Sequence, residues 1–212
     1  MRLTAKVGDP VPGAKLAAAV ERARKGKSAQ MTQSGAGGAM RSTGIVSFAH
    51  DGTAATKLTE HVGSQEFGVV YVDKVLYFKV VSAGTGWLAI RQGASDALAK
   101  QFGPLVQAMQ QSQRGGTAGS PDAVWKVVAV TPAAITYRTH ATQRQVAAAL
   151  DKTGMSQVQA PPGGEDIVEA IAPNGLVRQV DTIINGAVTL QVDYRGWGPA
   201  VTISAPPDST DA

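Results

Sequence analysis

The side chains that most often do chemistry are few and widely spaced in this sequence. The three histidines, His50, His61 and His140, have no partner at the i, i+4 spacing that puts two ligands on one helix face. Cysteine is absent, which removes disulfides, thiolate ligands and a cysteine nucleophile. We therefore expect no metal site and three ordinary surface or strand histidines.

The acidic and glycine-rich segments form no catalytic or nucleotide-binding pattern either. Glu165-Asp166 and Glu169 are the only close acidic set, and on a strand positions 166 and 169 face opposite sides, so no glycosidase pair is indicated. The run Gly35-Ala36-Gly37-Gly38 lacks the third glycine and the following helix of a dinucleotide fingerprint. No P-loop and no G-x-S-x-G elbow occurs. The sequence thus predicts no catalytic residue and no cofactor, and we expect that the protein is not an enzyme.

The composition limits which other classes of function are possible. The 212 residues are 43% hydrophobic and 17% charged, which is ordinary for a globular domain. No run of 18 apolar residues exists, so no segment is expected to span a bilayer. Basic residues cluster only at Arg22, Arg24, Lys25 and Lys27, where they complement a helix dipole or attract anionic headgroups. Without interleaved aromatic residues they predict no nucleic-acid surface.

Hydrophobic periodicity and turn signals predict an α+β protein with about ten antiparallel strands and helices inserted between groups of strands. We assign residues 1–12 to a flexible N-terminal segment, 13–207 to a single domain and 208–212 to a flexible tail. The predicted helices are 13–27, 95–113 and 143–152; the predicted strands are 40–49, 53–62, 65–72, 75–81, 124–130, 134–139, 166–171, 177–184 and 187–194.

The 95–113 segment carries an apolar stripe at helical spacing, with Gly103-Pro104 predicting a kink or two short helices. This stripe is a natural lid for the sheet, or it closes an ordinary solid core. Its members are Leu98, Phe102, Leu105, Val106 and Met109.

A two-residue turn at Asp73-Lys74 sets the register of the first readable hairpin, pairing Tyr71 with Leu76 and Val69 with Phe78. The second face of this hairpin contains Gly68 and Lys79 and is expected to be the wetter one. The first face, which we expect to meet the ligand, collects Phe67, Val69, Tyr71, Leu76, Phe78 and Val80.

The Asn185-Gly186 turn is the strongest hairpin signal in the sequence and predicts that Asp181 pairs with Leu190. Asp181 would then lie on an apolar face, either as a strand-edge residue that reaches solvent or as a polar group in the mouth of a ligand cavity. The predicted inner face comprises Val177, Gln179, Asp181, Ile183, Val188, Leu190, Val192 and Tyr194.

Three segments carry a family resemblance. The ending Val192–Pro207, with its Tyr194-Arg195-Gly196-Trp197-Gly198-Pro199 core, resembles the closing stretch of the mycobacterial LppX/LprA/LprF/LprG lipoproteins. The hairpin Val69–Lys79 with the following Trp87 is similar to theirs, and so is the turn segment Pro173–Val180. The order of elements agrees over residues 13–207.

The resemblance implies a strongly curved antiparallel half-barrel with helices packed over its concave face, related in architecture to the lipoprotein carriers LolA and LolB. It also implies a cavity that holds an acylated lipid or glycolipid, and a location at the outer face of the plasma membrane in the cell envelope. The membrane surface and a membrane transporter are partners it suggests. The chain departs from the pattern by having no leader and no lipobox cysteine, so either both were removed or this relative is not anchored.

We therefore expect a non-catalytic lipid carrier of the envelope. The alternative is a non-transporting interaction or sensor module of the same fold with a closed core. An enzyme would need a polar cluster hidden from the sequence, such as Asp181 beside His140 or Glu169. The expected ligand-binding residues are Phe67, Val69, Tyr71, Leu76, Phe78, Leu98, Phe102, Val106, Met109, Ile183, Leu190 and Val192.

Overall fold

The computed structural model describes residues 5–84, 86–91, 123–152 and 158–211. Within these ranges the chain forms one open sheet of thirteen strands and two α-helices. The helices are α1 (Gly13–Arg24) and α2 (Gln143–Lys152). The strands are β1 (Pro10–Pro12), β2 (Lys27–Gly35), β3 (Met40–Phe48), β4 (Ala54–Val62), β5 (Gln65–Val72), β6 (Val75–Val80), β7 (Trp87–Arg91), β8 (Val124–Val130), β9 (Ile135–Ala141), β10 (Glu165–Ile171), β11 (Val177–Ile184), β12 (Ala187–Pro199) and β13 (Ser209–Asp211).

The sheet consists of two meanders joined through its middle. Strands β2 to β7 follow one another in space, as do β8 to β12, and the long strand β12 pairs antiparallel with β2 to join them. The β2 strand was not predicted, because most of its residues are polar and leave no apolar alternation to detect. Its position between β12 and β3 supplies ladder hydrogen bonds on both sides, and these do not depend on side-chain type.

The two ends of the chain also differ from the expectation of flexible segments. Pro10–Pro12 pairs with β8, and Ser209–Asp211 pairs in parallel with β7. Together with β2 and β7, these two short strands add four to the nine predicted strand ranges and give the thirteen strands of the described residues. The reason is that β7 and β8 would otherwise each present an unpaired row of backbone donors and acceptors.

The two sides of the sheet are covered differently. On one side, which we name the helix face, Leu16 and Val20 of α1 pack on Trp125 and Tyr137 of β8 and β9. On the other side, which we name the strap face, residues 200–207 cross strands of the first meander before β13 begins. We call this segment the strap. Its Ile203 packs on the buried side chains Val70, Val72, Val75, Tyr77 and Ala89.

Hydrogen bonds hold the start of the strap against β2 and β3. The Ser28 hydroxyl donates to the Pro199 carbonyl at 2.7 Å, and the Ser47 hydroxyl donates to the Val201 carbonyl at 2.7 Å. The Ala200 amide donates to the Gly26 carbonyl at 3.0 Å. Because Ile203 of the strap packs on it, the second face of the first hairpin is buried near its turn. The expectation that this face is the wetter one was wrong there.

The register of the first hairpin is confirmed, with Tyr71 opposite Leu76 and Val69 opposite Phe78. Asp73 and Lys74 both have positive φ, at 52° and 64°, as a two-residue turn of the primed type requires. The alternation of side chains from this turn then places each residue on the face that the sequence predicted.

The register of the second hairpin is correct only beside its turn. Ile183 pairs with Val188, but an irregularity after Thr182 brings Thr182 opposite Leu190 and Asp181 opposite Gln191. A bulge adds one residue to one strand and so reverses the faces beyond it. Asp181 therefore lies on the strap face, where the Gln179 amide donates to its carboxylate at 2.8 and 2.9 Å.

Asp166 carries an ion-pair cluster on the strap face of β10. Arg138 donates to its carboxylate and His140 Nδ1 lies 3.1 Å from it, and the hydrogen bond from Arg138 is the largest cause of a lowered pKa of Asp166. A carboxyl with a pKa depressed by folding stabilises the fold above its unfolded pKa and loses that contribution as the pH falls.

We expect Asp166→Asn to lower the free energy of unfolding by about 0.5 kcal/mol at pH 7, because the pair is near the surface. The difference from the unmodified protein should shrink as the pH falls below the ordinary pKa of an aspartate, about 4, and vanish once Asp166 is protonated in the folded as well as the unfolded state. Urea titrations at several pH values measure this. Asp193→Asn, on β12 two strands away, is the control, and an equal loss at pH 7 for both variants would contradict a specific role for Asp166.

Candidate functional site

The helix face of β5 and β6 brings together the first five expected ligand-binding residues. Val69, Tyr71 and Leu76 form a buried cluster with Ile90 of β7, and Leu58 of β4 packs on its margin. The Phe67 and Phe78 rings stack at 5.3 Å between centroids with 25° between their planes. The ladder therefore places these residues on one apolar surface, as the sequence predicted.

Burial along this surface changes from one end of the strands to the other. Side chains near the Asp73-Lys74 turn, such as Tyr71 and Leu76, are buried. Toward the opposite end Leu58, Phe67 and Phe78 are only half-buried. The surface thus keeps an apolar region in contact with solvent at its outer end.

Leu190 and Val192 of β12 also lie on the helix face, but β2 and β3 separate them from Leu58 of β4. Leu190 and Val192 pair with Gly35 and Gln33 of β2, and both are half-buried. Ile183 does not belong to this surface, because it follows Thr182 across the irregularity and pairs with Val188, which is 50% exposed. The placement of Ile183 on the ligand face was therefore wrong. Leu98, Phe102, Leu105, Val106 and Met109 lie outside the described residues, and their role as a lid stays a prediction.

Polar side chains form the outer row of the helix face. Gln33, Ser42 and Glu60 occupy neighbouring positions on β2, β3 and β4, in line with Phe67 of β5. Burial raises the pKa of Glu60 above its usual range, because desolvation disfavours the charged carboxylate. The row can therefore accept and donate hydrogen bonds next to an apolar surface.

A second polar group lies in the core beneath α1. Glu169 is fully buried on the helix face, opposite Tyr137 and Val180. Desolvation, with the nearby Glu169 carboxylate as a smaller cause, raises the pKa of Tyr194 to about 12. The acidic set that contains Glu169 was visible in the sequence, but its burial was not.

Arg24 was interpreted as a solvated helix-end cation, and that was wrong. It is only 5% exposed, and its guanidinium lies 4.4 Å from the centre of the Phe48 ring. The signal that could have revealed this is spacing, because Leu16, Val20 and Arg24 recur every four residues on one face of α1.

The two polar clusters named from the sequence, Asp181 beside His140 and Asp181 beside Glu169, do not form. Asp181 is on the opposite face from Glu169, and His140 contacts Asp166 and not Asp181. Among the described residues no group of three or more His, Asp or Glu side chains could hold a metal ion. No helix that the structure describes has both the length and the apolar character to cross a membrane.

Comparison with known proteins assigns no family. No family model and no curated protein matches the sequence. Among solved structures, the chain is similar to one in the Pseudomonas aeruginosa MucA/MucB complex, with a TM-score of 0.48 and 11% identity, over 92% of this chain and 59% of that one. A second structure, MucB in complex with MucA(peri), gives 0.45 and 10%, over 91% and 56%. This chain thus spans less than three fifths of the length of each of these two matched chains.

The hypothetical protein CT021 from Chlamydia trachomatis gives a TM-score of 0.44 and 6% identity, over 94% of this chain and 98% of that one. Because each of these three TM-scores is below 0.5, these similarities establish neither a family nor a function. The likeness to the LppX/LprA/LprF/LprG lipoproteins stays an expectation from the sequence.

Proposed function

We propose that the protein binds an acylated lipid or glycolipid on the helix face of the sheet and carries it without chemical change. The observation that supports this proposal is the half-buried apolar surface formed by Leu58, Phe67 and Phe78 at the margin of the Val69, Tyr71 and Leu76 cluster. Large apolar side chains that gather on one surface and stay partly exposed are typical of a ligand-binding groove. A bound acyl chain would remove this surface from water.

The energetics of such a site need no catalytic or strongly charged group. Each methylene that leaves water contributes about 0.8 kcal/mol, so a long acyl chain supplies most of its own binding free energy. Gln33 and Glu60 of the outer row, which are half-buried, would then contact the polar end of the lipid, whereas Ser42 between them is buried. The tail would extend along the strands toward the buried Tyr71 and Leu76.

The finer parts of the proposal rest on the resemblance seen in the sequence. They are the half-barrel curvature of the sheet, a lid formed by the 95–113 segment, location at the outer face of the plasma membrane, and contact with that membrane. The absence of catalysis belongs to the same proposal.

One observation favours the alternative, an interaction module with a closed core. Val124, Val128 and Val130 of β8 are 66, 41 and 46% exposed, and β1 covers only the first part of this strand. Exposed valines on an edge strand are a typical contact for another chain. An interaction module would show a protein partner or self-association that is lost in Val128→Lys, with no lipid in organic extracts.

The test compares two substitutions on opposite faces of neighbouring strands. Leu58→Gln places an amide on the proposed lipid surface, whereas Ile45→Gln changes a side chain that is 39% exposed on the other face. We expect protein purified from an actinobacterial host to yield lipid on extraction with chloroform and methanol. Mass spectrometry should find roughly tenfold less of it in Leu58→Gln and an unchanged amount in Ile45→Gln.

Circular dichroism melting curves show whether both variants are folded. Folded protein that yields no lipid, and that also fails to bind a fluorescent acylated lipid added in solution, would overturn the proposal. So would equal lipid content in the two variants.

A further inference from the structure

A cavity lies beside α1, away from the surface proposed for lipid carriage. Its volume is about 440 Å³, which is within the usual range for small-molecule sites. None of the residues that line it belongs to strands β2 to β7. They are Ala5, Val11, Lys15, Leu16, Ala18, Ala19, Arg22, Ala23, Tyr137, Asn174 and Gly175. We call this cavity the α1 groove.

Small residues create the α1 groove. Ala18, Ala19 and Ala23 leave one side of the helix without bulky side chains. The turn between β10 and β11 approaches closely, since a Cβ on Gly175 would lie 2.9 Å from that of Ala23. Gly175 also has a φ of 89°, so a larger residue is excluded there on two grounds. The close approach fixes one wall of the groove.

The floor and the rim of the α1 groove differ in chemistry. Leu16 and Tyr137 are buried and give the floor an apolar character. Lys15 and Arg22 are seven residues apart, which is two helical turns, so both lie along the same side of α1. Among the described residues that line the groove, none is acidic. The groove therefore combines an apolar floor with a rim that carries positive charge.

We propose that the α1 groove binds a single-chain amphiphile with an anionic headgroup, such as a fatty acid. The acyl chain lies on Leu16 and the alanines, and the headgroup lies near Lys15 and Arg22. The complementarity of charge selects an anion, and a volume of about 440 Å³ suits one chain better than two. The site is independent of the lipid surface around Leu58.

Fluorescence titration with 11-(dansylamino)undecanoic acid tests the charge requirement. We expect the double variant Lys15→Gln/Arg22→Gln to bind the probe about tenfold more weakly than the unmodified protein. The control Lys126→Gln/Arg144→Gln removes the same charge from exposed residues outside the groove and should bind normally. Laurate should displace the probe more strongly than the neutral dodecanol. The variant Lys15→Gln/Arg22→Gln should lose this preference for the anionic competitor.

Two substitutions of alanine by phenylalanine on α1 test the location of the site. Ala18→Phe should fill the groove and abolish probe binding, whereas Ala14→Phe, also exposed on α1 but outside the groove, should leave binding unchanged. Leu58→Gln should also bind the probe normally, which separates this site from the lipid surface. Equal binding by Ala18→Phe and Ala14→Phe, or by the two double charge variants, would overturn the proposal.

Cosedimentation with vesicles of phosphatidylglycerol and phosphatidylcholine distinguishes a free amphiphile from a membrane surface. We expect Ala18→Phe to sediment like the unmodified protein, because filling the groove does not remove its charge. If Lys15→Gln/Arg22→Gln loses vesicle binding yet keeps full affinity for the dansyl probe, the cations serve a membrane surface and the groove proposal is wrong.

Discussion

Substitution of Trp125 by alanine is expected to lower the free energy of unfolding by about 3 to 5 kcal/mol, because a large core side chain is removed and the site cannot collapse fully. Trp125 is fully buried and packs with Leu16 and Val20, so it joins the second meander to α1. Urea unfolding followed by circular dichroism should show a lower midpoint with an unchanged slope.

The adjacent Val124→Ala provides the control for Trp125→Ala. Val124 is 66% exposed, so its truncation should change the stability by less than about 0.5 kcal/mol. Equal midpoints for the two variants would mean that α1 does not depend on this contact.

Substitution of Gly44 by alanine is expected to cost about 1 to 3 kcal/mol through overpacking. Gly44 pairs with Leu58, and a Cβ added to it would lie 2.0 Å from the carbonyl oxygen of Lys57 and 2.8 Å from the Leu58 Cα. Both atoms belong to the backbone of β4, so β3 and β4 must separate to admit the methyl group. Thermal and urea unfolding both measure the effect.

Gly163→Ala is the matched control for Gly44→Ala. Its added Cβ would meet only the Asn185 side-chain oxygen, at 3.7 Å, which is an ordinary contact. We expect no loss of stability there, since alanine also reduces the freedom of the unfolded chain. If Gly44→Ala is as stable as Gly163→Ala, the close approach of β3 and β4 is not a constraint on the sheet.

The apolar face of β5 and β6 was the part of the candidate site that could be predicted from the sequence. The alternation in β5 and β6 identified the apolar face of Val69, Tyr71 and Phe78, because the turn at Asp73-Lys74 leaves only one register. The neighbouring β2 was missed, since its polar residues resemble a loop when read alone. Its contribution to the helix face became visible only from its pairing with β12 and β3.

The second hairpin shows where alternation fails. The Asn185-Gly186 turn correctly predicted the pairs beside it, but one irregularity after Thr182 moved Asp181 to the strap face and removed Ile183 from the ligand surface. A bulge depends on how two strands twist against their neighbours, and the periodicity of a single strand carries little information about it.

The sequence by itself determined the α+β fold class, the two hairpin turns, the apolar face of β5 and β6, and the absence of cysteine. These follow from local properties, namely turn chemistry and the period of apolar residues. Only the tertiary structure decided that the strap covers one face, that Arg24 is buried against Phe48, and that alanines of α1 border a groove. Each of these depends on segments distant in the sequence meeting in space. Pairing and packing between distant segments leave no local pattern.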